Sequence, residues 1–347
     1  MGSSVSREGE TCGLVLYLEE IIMKKSLLAM TMAVILSALV PSMAFAADLP
    51  KKVDVQLPAS AGGGTDVAGR QLVQYINENY PTNLTVKNNT DGSGVVAYET
   101  VRSAKKDGST ILFFHTTMLL KYATGVYAQS PKDNFKVAAV GLPTEKGGYI
   151  LVVPAESGVT DLDGFIALAN EKGGELRIGI ENGGSSHIMS GILCEKLGIS
   201  LRTVESGPDT EKLTNLVGGS IDCALVNANQ AKQYVEGEKV NAIACFSATD
   251  EGGRNSVLPD VPSFKELGYD CVFGTYFFVL LPKDADDEVA QAYNEAFTAA
   301  ASDEEVSSIL ESSGFGMEFV SVEESAELFA AQQDSLYEVC EGLGLTK

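Results

Sequence analysis

Apolar residues recur in two rhythms along most of this chain. Val53, Val55 and Leu57 alternate with Asp54 and Gln56, the period of a half-buried strand. Val67, Ala68, Leu72, Val73 and Ile76 follow at close to 3.6, the period of a helix packed on one face. The exchange repeats to the C-terminus. Strands are expected at 53–57, 84–88, 110–115, 137–142, 149–153, 176–180, 221–226, 240–246 and 276–281. Helices are expected at 66–79, 95–105, 161–172, 188–197, 209–217, 228–236, 286–301, 303–313 and 322–342. Such alternation argues for α/β layers with mostly parallel sheets. No low-complexity run, heptad array or internal repeat interrupts it.

Two of the strand-to-helix turns are rich in glycine. Pro58-Ala-Ser-Ala-Gly-Gly-Gly-Thr-Asp66 joins the first strand to the first helix, and Glu181-Asn-Gly-Gly-Ser-Ser-His187 occupies the same place mid-chain. A helix start leaves backbone N–H groups without intrahelical partners and carries the positive end of the helix dipole, so either turn suits an anion such as a carboxylate. Each also has a purely structural reading, as a tight βα turn, with Ser185 or Ser186 serving as N-cap. Two such turns more than a hundred residues apart suggest two lobes gripping one small acid.

The landmarks around these turns resemble the extracytoplasmic solute receptors of tripartite tricarboxylate transporters, the Bug family. They run in family order: Pro58 to Asp66, Thr90-Asp-Gly-Ser-Gly94, Gly183-Gly-Ser-Ser-His187, Gly218-Gly-Ser-Ile-Asp222 and Leu258-Pro-Asp-Val-Pro-Ser263. The resemblance implies a type II periplasmic-binding-protein fold, two α/β lobes with a ligand cleft between them. Residues 47–145 and 274–347 then form the first lobe and 146–273 the second, with crossings near 137–153 and 272–281. It further implies a receptor that holds a small organic acid or amino acid, closes by hinge bending, and docks on membrane permease subunits. Departures from the family pattern bear on the ligand. Gly184 stands where a third serine is common, and Val204-Glu-Ser-Gly207 replaces a tyrosine-containing turn, adding Glu205 near the cleft.

Under this reading the ligand-binding candidates are Gly63, Gly64, Thr65 and Asp66 from one lobe and Ser185, Ser186 and His187 from the other, with Thr116, Asn227 and Tyr276 completing the set. Two roles are open to Asp66: stabilising the first helical turn, or meeting a cationic part of the ligand. Two are open to Tyr276, core aromatic or cleft platform. His115, at the end of the strand Ile111-Leu-Phe-Phe-His115, either lines the cleft or lies at the surface.

Composition narrows the alternatives. A formal net charge of −22 is the reverse of what a nucleic-acid-binding chain shows. It also makes long-range steering of a highly charged anion unfavourable, which shifts the expectation toward a mono- or dicarboxylate or a zwitterion. Met23-Lys-Lys25, the apolar stretch 27–40 and Ala44-Phe-Ala46 read as a signal peptide spanning 23–46, and Met23 as the initiator of an exported chain. The apolar stretch falls short of the ~20 residues of a membrane span. Cys194, Cys223, Cys245, Cys271 and Cys340 have no metal-like spacing, and His115 and His187 no ligand-like neighbours, so no metal or cofactor is expected. Gly92-Ser-Gly-Val-Val-Ala97 matches the dinucleotide fingerprint only weakly, and no nucleophile elbow is present. Catalysis is not expected. The competing classes are an exported hydrolase-like enzyme and a sensory receptor for a membrane kinase; the receptor reading expects a monomer.

Overall fold

The structure, a computed structural model, describes residues 49–346. The signal-peptide reading therefore lies outside the described residues. Eleven strands among them form two sheets. The first sheet, in the order β11-β4-β10-β3-β1-β2, is built from β1 (Val53–Leu57), β2 (Leu84–Asn88), β3 (Thr110–His115), β4 (Phe135–Pro143), β10 (Phe277–Pro282) and β11 (Met317–Phe319). The second, in the order β7-β6-β8-β5-β9, is built from β5 (Gly147–Pro154), β6 (Arg177–Ile180), β7 (Arg202–Glu205), β8 (Cys223–Val226) and β9 (Val240–Ser247). The chain leaves the first sheet at Pro143 and enters the second at Gly147; it returns between Ser247 and Phe277.

Both sheets are mixed, not mostly parallel. β1 pairs in parallel with β2 and β3, and β6 with β7 and β8. The strands that carry the chain between the sheets run the other way: β10 is antiparallel to β3 and β4, and β5 to β8 and β9. A strand entered directly from the other sheet has no crossover helix to reverse it, so it pairs antiparallel.

Strand alternation divides each lobe's core in two. Ile111, Phe113, Phe277 and Val279 face α1 (Gly64–Asn79), α9 (Asp287–Ser302) and α10 (Glu304–Ser312). Leu112, Phe114, Phe278 and Leu280 face α2 (Val95–Arg102), α3 (Thr117–Ala123) and α11 (Val322–Gly342). In the second sheet Ile178, Ile180 and Leu225 face α5 (Leu162–Glu171) and α6 (Ser185–Leu197), while Ile150, Val152 and Val226 face α7 (Asp209–Val217) and α8 (Ala228–Glu236). A one-turn helix, α4 (Pro131–Asn134), precedes β4. Covered on both faces, β3 and β10 read as continuous apolar runs. Helix α1 lies tight on β1 because Gly69 faces the strand; a Cβ there would come within 2.7 Å of Leu57 Cδ1.

Helix α11 belongs to neither sheet alone. Phe329 is buried in the first lobe's core against Phe278 (ring centroids 4.7 Å apart), whereas Cys340, farther along the helix, is buried in the core of the second sheet. Helix α3 does the same on a shorter scale, with Met118 and Leu119 in one core and Leu120 and Ala123 in the other.

Candidate functional site

A cleft of about 440 Å³ lies between the sheets. Its position follows from the parallel strands. β1, β3, β6, β7 and β8 all end at it, delivering Pro58, His115, Glu181, Glu205 and Asn227 to its lining. Parallel strands present their C-terminal ends, and the helices that follow present their N-termini, to the same edge of a lobe.

Two helix starts face the cleft with donors to spare. In the first lobe Gly63 N–H closes the turn on Ser60 O at 3.1 Å, which leaves Gly64 and Thr65, the first residues of α1, with no acceptor among the described residues. Gly64 lies against Phe315, with a Cβ position only 2.7 Å from the ring, so the helix start is held down by an aromatic from the loop before β11. In the second lobe α6 begins at Ser185 and takes Gly184 as N-cap, so the reading of Ser185 or Ser186 as cap is corrected. Both serines sit in the first turn, and their N–H groups have no acceptor among the described residues. Their hydroxyls are engaged. Ser185 Oγ is 2.9 Å from Thr117 Oγ1 across the cleft, and Ser186 Oγ accepts from Glu181 N–H at 2.9 Å.

The remaining candidates divide. Asn227 lines the cleft at 6% exposure; its N–H donates to Asp209 Oδ2 and its Oδ1 accepts from Asn229 N–H, which leaves Nδ2 as an unanswered donor. Asp66, 3% exposed, does not line the cleft. Its carboxylate accepts from Gly62 N–H at 2.9 Å, from Arg70 Nε at 2.9 Å and from Asn88 Nδ2 at 2.8 Å, and so ties the glycine turn to β2. Burial pushes this carboxyl up, but the bonds from Arg70, Gly62 and Asn88 together outweigh it and hold it below 3.8. The Asp66→Asn variant is expected to lose about 1–2 kcal/mol of stability, because an amide nitrogen would face one of these donors. Chemical denaturation would show it, and an unchanged midpoint would remove Asp66 as the turn's anchor.

Thr116 and Tyr276 do not line the cleft; they bond to each other. Tyr276 N–H donates to Thr116 Oγ1 at 2.9 Å, and Thr116 N–H donates to Tyr276 O at 3.0 Å, joining the end of β3 to the start of β10. His187 also lies outside the lining; its Nδ1 accepts from Gly183 N–H at 3.2 Å and closes the loop from within. Burial pushes this imidazole down, against the opposing field of Glu205.

Several cleft residues lay outside the set of sequence-derived ligand candidates, although lining the cleft was one of the two readings of His115. His115 is 8% exposed, and burial, aided by Lys121, pushes its pKa down to about 3, so the ring is neutral. Thr117 N–H donates to its Nδ1 at 3.4 Å, which leaves the proton on Nε2, where it has no acceptor among the described residues. Lys121 is 2% exposed and reaches across the lobes: its Nζ donates to Ser93 O at 2.7 Å and to Glu181 Oε1 at 2.9 Å. That contact accounts for the glycine fingerprint, since Ser93 holds φ +58° with its carbonyl on the lysine. Lys212, also 2% exposed, donates to Asp209 Oδ1 at 2.7 Å. Tyr149, pushed up by burial and by the fields of Asp209 and Glu181, closes the inner wall with Phe315. The five described cysteines are all free thiols, and burial holds the Cys245 and Cys340 thiols up at about 11.

The arrangement is that of a binding site. Backbone donors from two lobes face one space, Lys121 and Lys212 are already paired, and among the described residues of the cleft no hydroxyl is hydrogen-bonded to a histidine, lysine or carboxylate. Comparison with known proteins agrees. The chain is 25% identical over 286 residues, 80% of its length and 82% of the relative's, to a UPF0065 protein from the tcbD–tcbE intergenic region of Pseudomonas sp. (strain P51). The periplasmic binding protein BugD superposes with a TM-score of 0.74 at 20% identity, covering 86% of this chain and 99% of that one. MatC from Rhodopseudomonas palustris, with bound malate, superposes with a TM-score of 0.70 at 21% identity, covering 83% and 98%. Both neighbours share the two-lobed α/β fold. The sequence model of the tripartite tricarboxylate transporter family receptor matches residues 68–345. Matched from residue 68 to residue 345, the chain therefore belongs to the tripartite tricarboxylate transporter receptor family and is a solute-binding protein, not an enzyme.

Proposed function

We propose that this receptor captures a small carboxylate-containing solute outside the cytoplasm and presents it to the membrane subunits of a tripartite tricarboxylate-type transporter. The observation that carries the reading is the pair of helix starts. Gly64 and Thr65 from one lobe and Ser185 and Ser186 from the other leave four N–H donors at one cleft, each pair at the positive end of a helix. Asn227 Nδ2 and His115 Nε2 add two side-chain donors. A neutral histidine donates a hydrogen bond without bringing a charge, so these groups recognise the shape of a carboxylate more than its charge. The malate bound to MatC supports the ligand class.

In this reading residues 47–145 and 274–347 move as one lobe against 146–273. The ligand is held by Gly64 and Thr65 on one side and by Ser185 and Ser186 on the other, while Gly63, whose N–H closes the turn on Ser60 O, shapes the loop that presents them. Asp66, Thr116, His187 and Tyr276 act behind the surface, holding the loops that bear these donors. The reading of export and of a permease partner is supported by family membership and by the 23–46 segment read in the sequence.

Residues 47–347, stripped of carried-over ligand, are expected to gain about 1.4 kcal/mol of stability from a cognate acid at ten times its dissociation constant. A thermal-shift series over mono- and dicarboxylates, with and without amino groups, would find it. A folded, ligand-free protein unmoved by every acid would remove the carboxylate reading, and turnover of a bound acid would restore the hydrolase alternative.

A further inference from the structure

Lys121 is a buried cation that carboxylate binding by the two helix starts leaves unused. It lines the cleft at 2% exposure, and its ammonium donates to Ser93 O at 2.7 Å and to Glu181 Oε1 at 2.9 Å. The two acceptors belong to different sheets. Ser93 follows β2 of the first, and Glu181 follows β6 of the second. Among the described residues no other ion pair spans the cleft.

Each acceptor stands behind one of the turns that bear the ligand donors. Glu181 is tied into the loop that opens α6: its N–H donates to Ser186 Oγ at 2.9 Å, and its C=O accepts from Gly184 N–H at 2.9 Å. Ser93 belongs to the Thr90–Gly94 segment, which packs on the other turn; the Cβ position of Gly94 is 2.9 Å from Pro58 Cβ. Ser93 holds φ +58°, where a side chain is disfavoured, with its carbonyl on the lysine. One ammonium thus joins the turn that opens α1 to the turn that opens α6.

Helix α3 aims the lysine. Thr117, one helical turn before Lys121 and buried like it, meets Ser185 Oγ at 2.9 Å. Thr124, which ends the helix, closes on Gly183, whose Cβ position is 2.6 Å from its Oγ1. One face of α3 therefore runs along the loop from Glu181 to Ser185. A buried ammonium needs its charge and its donors answered. Parting the two turns breaks one of its bonds or the other, because a single ammonium cannot follow both acceptors. Glu181 already neutralises it, so it brings no free positive charge to the ligand.

We infer that Lys121 is a positioning residue: through Ser93 and Glu181 it holds the two donor-bearing turns at binding separation, and the lobes part by releasing it. This rests on the carboxylate-receptor reading of the same cleft and adds the group that sets the cleft's width.

The test uses residues 47–347 with spin-labelled unnatural amino acids at Ser60 and Thr210, exposed residues that line the cleft from opposite lobes. In the ligand-free wild type one short separation should dominate, and Lys121→Met and Glu181→Leu should each move most of the population to longer separations. Malate, glutarate and propionate, titrated calorimetrically, are the binding probes. Any that binds the wild type should bind each variant about tenfold more weakly, and the double variant no more than about threefold more weakly still, because both substitutions break one contact. Glu181→Leu separates this role from direct contact: were Lys121 a counter-ion of the solute, freeing it would tighten binding. Thermal midpoints check the fold, and the Glu181 side chain, 37% exposed, is the safer site should Lys121→Met fail to fold. Separations in Glu181→Leu equal to those of the wild type, or tighter binding by that variant, would overturn the proposal. Failure of all three probes on the wild type would count against the carboxylate reading, while the label separations would still decide the role of Lys121.

Discussion

Between pH 7 and pH 4.5 the ligand-free protein is expected to lose about 2–3 kcal/mol of stability through His115 alone. The folded ring titrates near 3 because it is buried beside Lys121, whereas in the unfolded chain it titrates near 6.5. From pH 6.5 downward the unfolded state therefore binds a proton that the folded state does not, so stability rises with pH across this window and falls on acidification. His187 is pushed down as well and acts in the same direction. The chain has only these two histidines. Carboxyl groups with lowered values, such as Asp66 and Glu99, act in the same direction: their contribution begins to be lost as pH falls toward their unfolded values of 3.8 and 4.5, so they add to the slope only at the acid end of the window. Urea denaturation at pH 7, 5.5 and 4.5 would measure the slope, and His115→Gln should flatten it. A variant with the wild-type slope would show that His115 is not the group responsible.

Replacing Ser185 by proline is expected to weaken binding of a cognate acid by about ten- to a hundredfold beyond the cost of Ser185→Ala. Ser185 is the first residue of α6, where proline is tolerated because that N–H has no intrahelical acceptor. Gly184 before it is extended, with φ −96° and ψ −179°, as a residue preceding proline must be. The substitution thus removes a donor to the ligand while keeping the helix. Ser185→Ala supplies the control, since it deletes the hydroxyl bonded to Thr117 and retains the N–H. Circular dichroism should show the same helix content in both variants, and titration should separate them. Equal affinities would mean that this N–H does not contact the ligand.

The sequence carries the alternation of strand and helix and the two glycine turns because both depend on local pattern. Helix α3 was not visible in it. Met118 and Leu119 face one core and Leu120 and Ala123 the other, so the helix has no polar stripe from which a period can be read. The antiparallel course of β5 and β10 was equally hidden, because strand direction depends on which sheet the chain has just left. In the site, the turns announce Gly64 and Ser185, but Lys121, Glu181, Asp209 and Lys212 look like ordinary surface charges until the lobes bring them together. One signal was available. At β1, β3, β6, β7 and β8 the residue at or just after the strand's end enters the cleft, a rule that picks out Pro58, His115, Glu181, Glu205 and Asn227; the parallel strand β2, ending at Asn88, is the exception. Thr116 and Tyr276 show the rule's limit: neighbours of the cleft in sequence, they are fastened to each other by backbone geometry that no motif encodes.

Helix α11 constrains how the two lobes can part. A straight rod fixed at Phe329 in one body and at Cys340 in the other keeps both attachments only if the bodies turn about an axis close to the rod itself. Any other rotation drags its last turns across α6, where Leu343 already stands 2.9 Å from the Cβ position of Gly191. The C-terminal helix is thus the spindle of the molecule, and the mouth of the cleft, whose lining includes none of its residues, moves more than the helix does. Paired spin labels should therefore report the largest change in separation across that mouth and almost none between α11 and either sheet.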